Sequence, residues 1–458
     1  MKLTVFPIFL LVVLTLSIPV NIAAQNERAD GYRGLWSRSG QLMEFGYKYS
    51  GGLATFSSQH TPLAVYSAEA NKTFFIYSGT KSPEVSHLQI MISYYDHRTN
   101  RVPRPVIIYD KMGVNDPQDN ATISIDSRGF IYVFVSGRGR TRPGLIFRSR
   151  EPYTIDAFDQ IFRGEIVFPQ PWWINDSCLV LMHTRVRAGR ELFWSTSVDG
   201  RNWSAGKKLA GMGGHHQITN VNGNIIYSVF NYLPGGNRDL RTNIYLVKTD
   251  DVGKTWTDID GNPLNTPLTD IHSSALVKDY ETDNKIVFIK DLNFDRNGNP
   301  VILALTSGGS LPGPSGDPRE LIIIKREDGK WKSIKVFNTH HNHDMGSLFT
   351  GVDEWKIVYP AEPGPRKDGT GGEIVLWTSN DEGETWRKKT DVTSGSRYNN
   401  SYVRRPLNAN SEFYCYWADG DPEQISESRI FFTNENCDRV WILPYTMKKN
   451  YARPQRIK

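Results

Sequence analysis

Thr249-Asp250-Asp251-Val252-Gly253-Lys254-Thr255-Trp256 and Ser379-Asn380-Asp381-Glu382-Gly383-Glu384-Thr385-Trp386 share one pattern, and Ser197-Val198-Asp199-Gly200-Arg201-Asn202-Trp203 is a shortened copy of it. Each follows an alternating apolar run, such as Asn243–Val247 or Ile374–Trp377. The chemistry is that of a hairpin: aspartate accepts backbone N–H bonds, glycine supplies positive φ, and tryptophan packs back onto the sheet. Weaker copies stand at Asp328-Gly329, Asp295-Arg296-Asn297-Gly298 and Asp126-Ser127-Arg128-Gly129. The spacing is on the order of 50 to 70 residues, the scale of one four-stranded blade. These turns are expected to be structural.

The rest of the chain agrees. Its 458 residues include 39 Gly, 25 Pro, 12 Trp and 21 Tyr, which fits many short strands joined by tight turns. No amphipathic helix, linker or composition shift interrupts the pattern. The expected fold is therefore all-β, a single seven-bladed β-propeller of four-stranded antiparallel blades over residues 25–458. Residues 1–24, with Lys2, an apolar stretch and a small-residue exit at Ala23-Ala24, are expected to be a secretory signal, giving a periplasmic or secreted protein. Cys178, Cys415 and Cys437 have no metal-ligand spacing, and Cys415 with Cys437 is the nearer pair for a disulfide. The formal charge of +5 suits an anionic ligand, but no basic run points to nucleic acid.

The repeated turn resembles the Asp-box of sialidase-like propellers. Further stretches, among them Gly31–Trp36, Tyr47–Gly52, Phe168–Trp172, His183–Arg185, Asp344–Leu348, Tyr402–Pro406 and Trp417–Gly420, resemble the BNR-repeat family of secreted bacterial carbohydrate-active propellers. That resemblance implies a seven-bladed fold and a glycan in which rhamnose accompanies a uronic acid. The family contains ulvan lyases and α-L-rhamnosidases. Two histidines carried by its lyases are replaced here by Gln118 and Arg138, neither of which is a general base near neutral pH. The histidine that the rhamnosidases use is similar to His60.

Among the candidate groups, imidazoles come first because they titrate near neutral pH. His60 and His215 are candidate bases, and His216, standing where the family carries tyrosine, is a candidate acid. Arg185, sharing a strand face with His183, is a candidate clamp for a uronate carboxylate. Gln118, Arg138, His183, Arg241, His341, His343, Arg404 and Arg405 are candidate substrate-binding residues. His341 and His343 have the spacing to meet one metal, yet a third ligand is missing, so a polar rim around the sugar is the preferred reading and no metal or cofactor is expected. Trp172, Trp173, Tyr398 and Trp417 are candidates for sugar stacking. No carboxylate pair announces a two-carboxylate hydrolase.

The expected function is β-elimination on the uronic acid of a rhamnose-containing, ulvan-type acidic polysaccharide or its oligosaccharides, with or without sulfate. A lyase or an oligosaccharide dehydratase would leave a 4,5-unsaturated uronate. The alternatives are an α-L-rhamnosidase and a non-catalytic glycan-binding propeller. A monomer with neither nucleic acid nor, once the signal is removed, a membrane as partner completes the expectation.

Overall fold

The computed structural model describes residues 25–458 except 82–86, 115 and 188; the expected signal at 1–24 lies outside the described residues. Alternation of buried β-branched and aromatic residues with turn-forming Gly, Asn and Asp produces strand after strand. Five antiparallel sheets of four strands follow one another, at 64–110, 121–164, 167–210, 217–278 and 286–338. A nine-stranded sheet comes next, over 347–456. Its first four strands, 347–391, join its remainder through one residue pair, Gly372–Asn400. The first strands of successive sheets pack side by side. The last sheet returns to the first, where Leu407 N–H donates to Ala64 and Tyr66 N–H donates to Leu407 at 2.8 and 2.9 Å.

The apolar clusters lie between neighbouring sheets, which is why both faces of most strands are buried. One joins Trp172 and Trp194 to Ile226, Phe230 and Trp256; another joins Phe288 and Leu303 to Trp355 and Tyr359. No single sheet could bury two apolar faces alone, so the stack forms as a unit.

The three repeated turns have the same construction. Ser197, Thr249 and Ser379 each accept the amide of the glycine that follows, Gly200, Gly253 or Gly383, at 2.8 to 2.9 Å. Each also donates its hydroxyl to the aspartate, at 2.7 to 3.0 Å. Trp203, Trp256 and Trp386 close the turns between third and fourth strands, and Trp256 lies edge-on against Trp194 of the preceding sheet at 5.4 Å. Asp126 and Asp295 are not copies of this element. Their turns join first to second strands, although they use the same aspartate-to-amide bonds. All three cysteines are free thiols, Cys415 and Cys437 both buried, so the expected pair is not bonded.

A hairpin of β1 (Gly34–Met43) and β2 (Gly46–Gly52) stands apart from the stacked sheets. β1 pairs with Ser426–Ser428 of the last sheet region. At the other end Lys48 forms an ion pair with Asp239 and reaches Ser310 at 3.3 Å. Phe45 packs on Gly313, whose hydrogen leaves the room a side chain would fill. The hairpin is thereby held at both ends, across one edge of the sheets.

Candidate active site

In an antiparallel meander the first-to-second and third-to-fourth connections share one edge, and the second-to-third connections share the other. The repeated aspartate turns occupy the first edge. The second edge carries Arg138, Arg190 and the 238–241 segment, from the same connection of three consecutive sheets. Gln118, His216 and His343, which precede first strands, lie on that edge too. With Tyr49 and Ser37–Gly40 of the hairpin they line a cleft of about 360 Å³. That is within the range of about 300 to 1,000 Å³ typical of small-molecule sites.

Charge in the cleft is one-sided. Arg38, Arg138, Arg190, Arg238 and Arg241 line it, against the single carboxylate of Asp116. Asp116 is itself held by Arg138 at 3.2 Å and Arg142 at 3.1 Å. Gln118 Oε1 accepts from Arg190 at 2.9 Å and also from Arg138. The two residues that stand in place of the lyase histidines thus form one unit, an amide oxygen gathering two guanidiniums. Burial, reinforced by Arg238, Arg138 and Arg241, pushes Arg190 down to about 9. Burial lowers Arg241 as well; its guanidinium lies 4.4 Å from the Phe288 ring centre. Neither Arg190 nor Arg241 has a carboxylate partner among the described residues, so both keep charge in reserve for an anion.

The imidazoles of the cleft are neutral. Burial, then Arg241 and further cations, holds His216 and His343 well below the ordinary histidine range. Arg190 Nη1 lies 3.3 Å from His216 Nε2, and Gln59 lies 2.9 Å from Nδ1. Arginine can only donate. His216 Nε2 is therefore the acceptor and the proton is on Nδ1. The Gln59 group at 2.9 Å from Nδ1 is Nε2, a second donor, so this tautomer requires the amide in its flipped orientation with the oxygen accepting. His343 is packed edge-on against Tyr49, ring centres 4.7 Å apart.

The structure brings Gln118, Arg138, Arg241, His216 and His343 together, and it withdraws the other expected residues from the cleft. His215 is enclosed; Nδ1 donates to Asn231 O at 2.9 Å and Nε2 accepts from Met212 N at 3.2 Å, which uses both nitrogens. His60 has no exposed surface and packs on Phe168; burial lowers it to about 3. His183 and Arg185 do share a face, but it is the face that packs on Phe193, with the Arg185 guanidinium 4.7 Å from that ring. Neither lines the cleft. His341 lies beneath His343, accepting its amide at 3.2 Å. Arg404 bonds Ser57 O at 3.1 Å and also His60 O, and Arg405 meets Asp291 at 3.3 Å; both line a separate cavity of about 40 Å³. Trp172 and Trp417 are core residues whose indoles donate to Thr219 and Asn400. Trp173 packs on Tyr132.

Arg190, Arg238, Tyr49 and Gln59 are cleft residues that sequence reading missed. A signal existed for the first two. They occupy, in the third and fourth sheets, the connection that Arg138 occupies in the second, so aligning the repeats would have found them. Tyr49 arrives on the hairpin, outside any repeat.

A model of the BNR repeat-containing family matches residues 86–339. No curated protein matches the chain in sequence. Among solved structures, the PL25 ulvan lyase bound to -[GlcA(1-4)Rha3S]- is similar, with a TM-score of 0.68 and 16% identity over 87% of this chain and 96% of that one. The polysaccharide lyase Uly1 is similar at a TM-score of 0.60 and 11% identity, over 90% of this chain and 99% of that one. At such identities the likeness is one of fold.

Proposed function

This chain belongs to the BNR repeat-containing family, and on that premise we propose that it is a carbon–oxygen lyase. The reaction is β-elimination on the uronic acid of a rhamnose-containing acidic glycan, giving a 4,5-unsaturated uronate. The observation that carries this reading is the set of cleft arginines without carboxylate partners beside two neutral imidazoles. The ulvan lyase with a glucuronate–rhamnose ligand, a protein of the same fold, supports the choice of glycan.

Elimination needs a group that neutralises the carboxylate, a base at C5 and a proton for the departing oxygen. Arg190 and Arg241 take the first role: a guanidinium on the uronate carboxylate stabilises the enolate-like charge that develops when the C5 proton leaves. Neutral His343 is the base. Tyr49, in ring contact with it, supplies the proton to the C4 oxygen. His216 has both nitrogens engaged and instead orients Arg190. These assignments replace His215, His60 and Arg185.

The hairpin sets the length of the substrate. Held at both ends, it walls the cleft, and a walled space of about 360 Å³ holds one or two sugar rings rather than a run of polymer. The favoured substrate is an oligosaccharide with a uronic acid at its non-reducing end, and the C4 leaving group is then water. We take residues 25–458 as one catalytic domain, the sheets as seven propeller blades closed through Leu407 and divided at Gly372–Asn400, and 1–24 as an export signal. N-terminal sequencing from the native host tests the last of these; an intact Met1 in a soluble cytosolic form would sink it.

The deciding assay is ultraviolet absorbance of a conjugated uronate growing from ulvan oligosaccharides. A gain in absorbance with unchanged chain length marks a dehydratase, and shortened chains mark a lyase. Release of rhamnose without absorbance would reject elimination. Enclosure of His60 gives a hydrolase no exposed imidazole at that position.

A further inference from the structure

β1, which walls the cleft, pairs with Ser426–Ser428, and Glu427 of that strand lines a second cavity of about 510 Å³. It opens where the two parts of the nine-stranded sheet diverge beyond Gly372–Asn400. Such a gap could be mere imperfect packing. Its lining argues otherwise. Asp419, only 8% exposed, contributes to it. One of its oxygens accepts the Arg429 amide at 2.6 Å. The other has no hydrogen bond among the described residues and is not sealed from solvent-sized space. That oxygen faces the cavity, where it can accept from a ligand hydroxyl in exchange for solvent. Burial pushes this carboxyl up to about 7, against the pull of the Arg429 amide.

The rest of the lining has the composition of a sugar site rather than of a core. Tyr398 is half-buried and offers a ring face for pyranose C–H groups. Arg397, exposed and 5.0 Å from that ring centre, has no carboxylate partner among the described residues. Arg429 faces Glu427 at 4.0 Å, a loose contact that a ligand anion could displace. Phe431 forms an apolar floor, backed by Trp417 at 5.9 Å.

We propose that this cavity is a second saccharide-binding site, taking a sugar unit that bears a carboxylate or sulfate. Tyr398 stacks on the ring, Arg397 and Arg429 hold the anionic group, and Asp419 bonds a hydroxyl. It would keep an acidic glycan on the protein while its ends are sampled by the cleft. The choice of an acidic sugar rests on the lyase reading of the cleft; the existence of the site does not.

The test is calorimetric titration of the exported chain carrying Arg190→Ala, which disables the cleft, with a glucuronate–rhamnose oligosaccharide of ulvan. Binding should persist, and adding Arg397→Glu and Tyr398→Ala should weaken it at least about tenfold, as loss of aromatic and arginine anchors does. No binding to the Arg190→Ala protein, or undiminished binding after the added changes, would overturn the site. Sulfated and desulfated forms distinguish the two anionic groups. Equal binding of a neutral saccharide would overturn the acidic-sugar assignment alone. None of these readouts needs unsaturated product, so failure of the lyase reading and failure of the second site are separable.

Discussion

At the turn edge of the sheets, Asp199, Asp251 and Asp381 accept bonds from the amides and hydroxyls of their own turns. At the cleft edge, Arg190 and Arg241 sit buried with no carboxylate to meet them among the described residues. Hydrogen bonds from Asn202, led by its amide, hold the carboxyl of Asp199 down to about 2, and those from Thr385 do the same for Asp381. Burial pushes the Arg190 guanidinium the opposite way, toward its uncharged form. The same strands end in both places. Charge balanced locally stabilises a turn; charge left unbalanced in a cleft lowers stability and persists where a ligand supplies the balance.

The largest expected break in this contrast is Arg190→Ala. It should lower kcat/KM by about two to three orders of magnitude, with partial rescue by lysine, because a point charge does not reproduce the guanidinium fork. Arg185→Ala is the control. Lying on Phe193, outside the cleft, it should change kcat/KM by less than about threefold, and a loss comparable to that of Arg190→Ala would reverse the assignment.

A second measurement sharpens the role of His343. Since its imidazole is held well below the ordinary range, it remains neutral and able to accept a proton below pH 6.5. The acid limb of kcat/KM should therefore lie below that of a free imidazole, and His343→Ala should remove it along with most of the rate. An acid limb at the ordinary histidine value would exclude this base.

Stability should respond to the histidines that the cleft does not use. Burial lowers His60 and His183 to about 3 and His215 to about 4. The unfolded chain binds protons at pH values where the folded chain does not. Stability is thus greatest above about 6.5 and falls as pH drops below it. A urea midpoint that stayed flat from pH 7 to pH 5, a span bracketing the imidazole value of about 6.5, would contradict this.

Smallest is the effect of Asp381→Ala. Loss of the turn bonds should cost about 1 kcal/mol of stability with kcat/KM unchanged. Because the folded carboxyl is depressed, that contribution is present above the ordinary carboxylate range and fades as pH falls toward 2.

The repeated turns made the class of fold readable in advance, since a hydroxyl, an aspartate and a glycine at fixed spacing need only their own backbone to define a hairpin. The Asp126 and Asp295 turns show the limit. Their local bonds are alike, but which strands they join depends on pairing partners far away in sequence. The lining of the cleft was readable where the resemblance pointed to particular positions, as at Gln118, Arg138 and His216. It was not readable at Arg185, because alternation along a strand tells which residues share a face without telling what that face meets.

What the sequence determined by itself is local: the turns, the strand alternation, the all-β class and a mild cationic excess suited to an acidic glycan. What the tertiary structure decided is which of two adjacent histidines serves the cleft. His215 spends both nitrogens on the backbone groups of Met212 and Asn231, while His216, one residue on, turns to Arg190 and Gln59. Successive side chains of extended backbone point to opposite sides, and only the packing of the sheets against one another and beneath the hairpin makes one side core and the other a cleft.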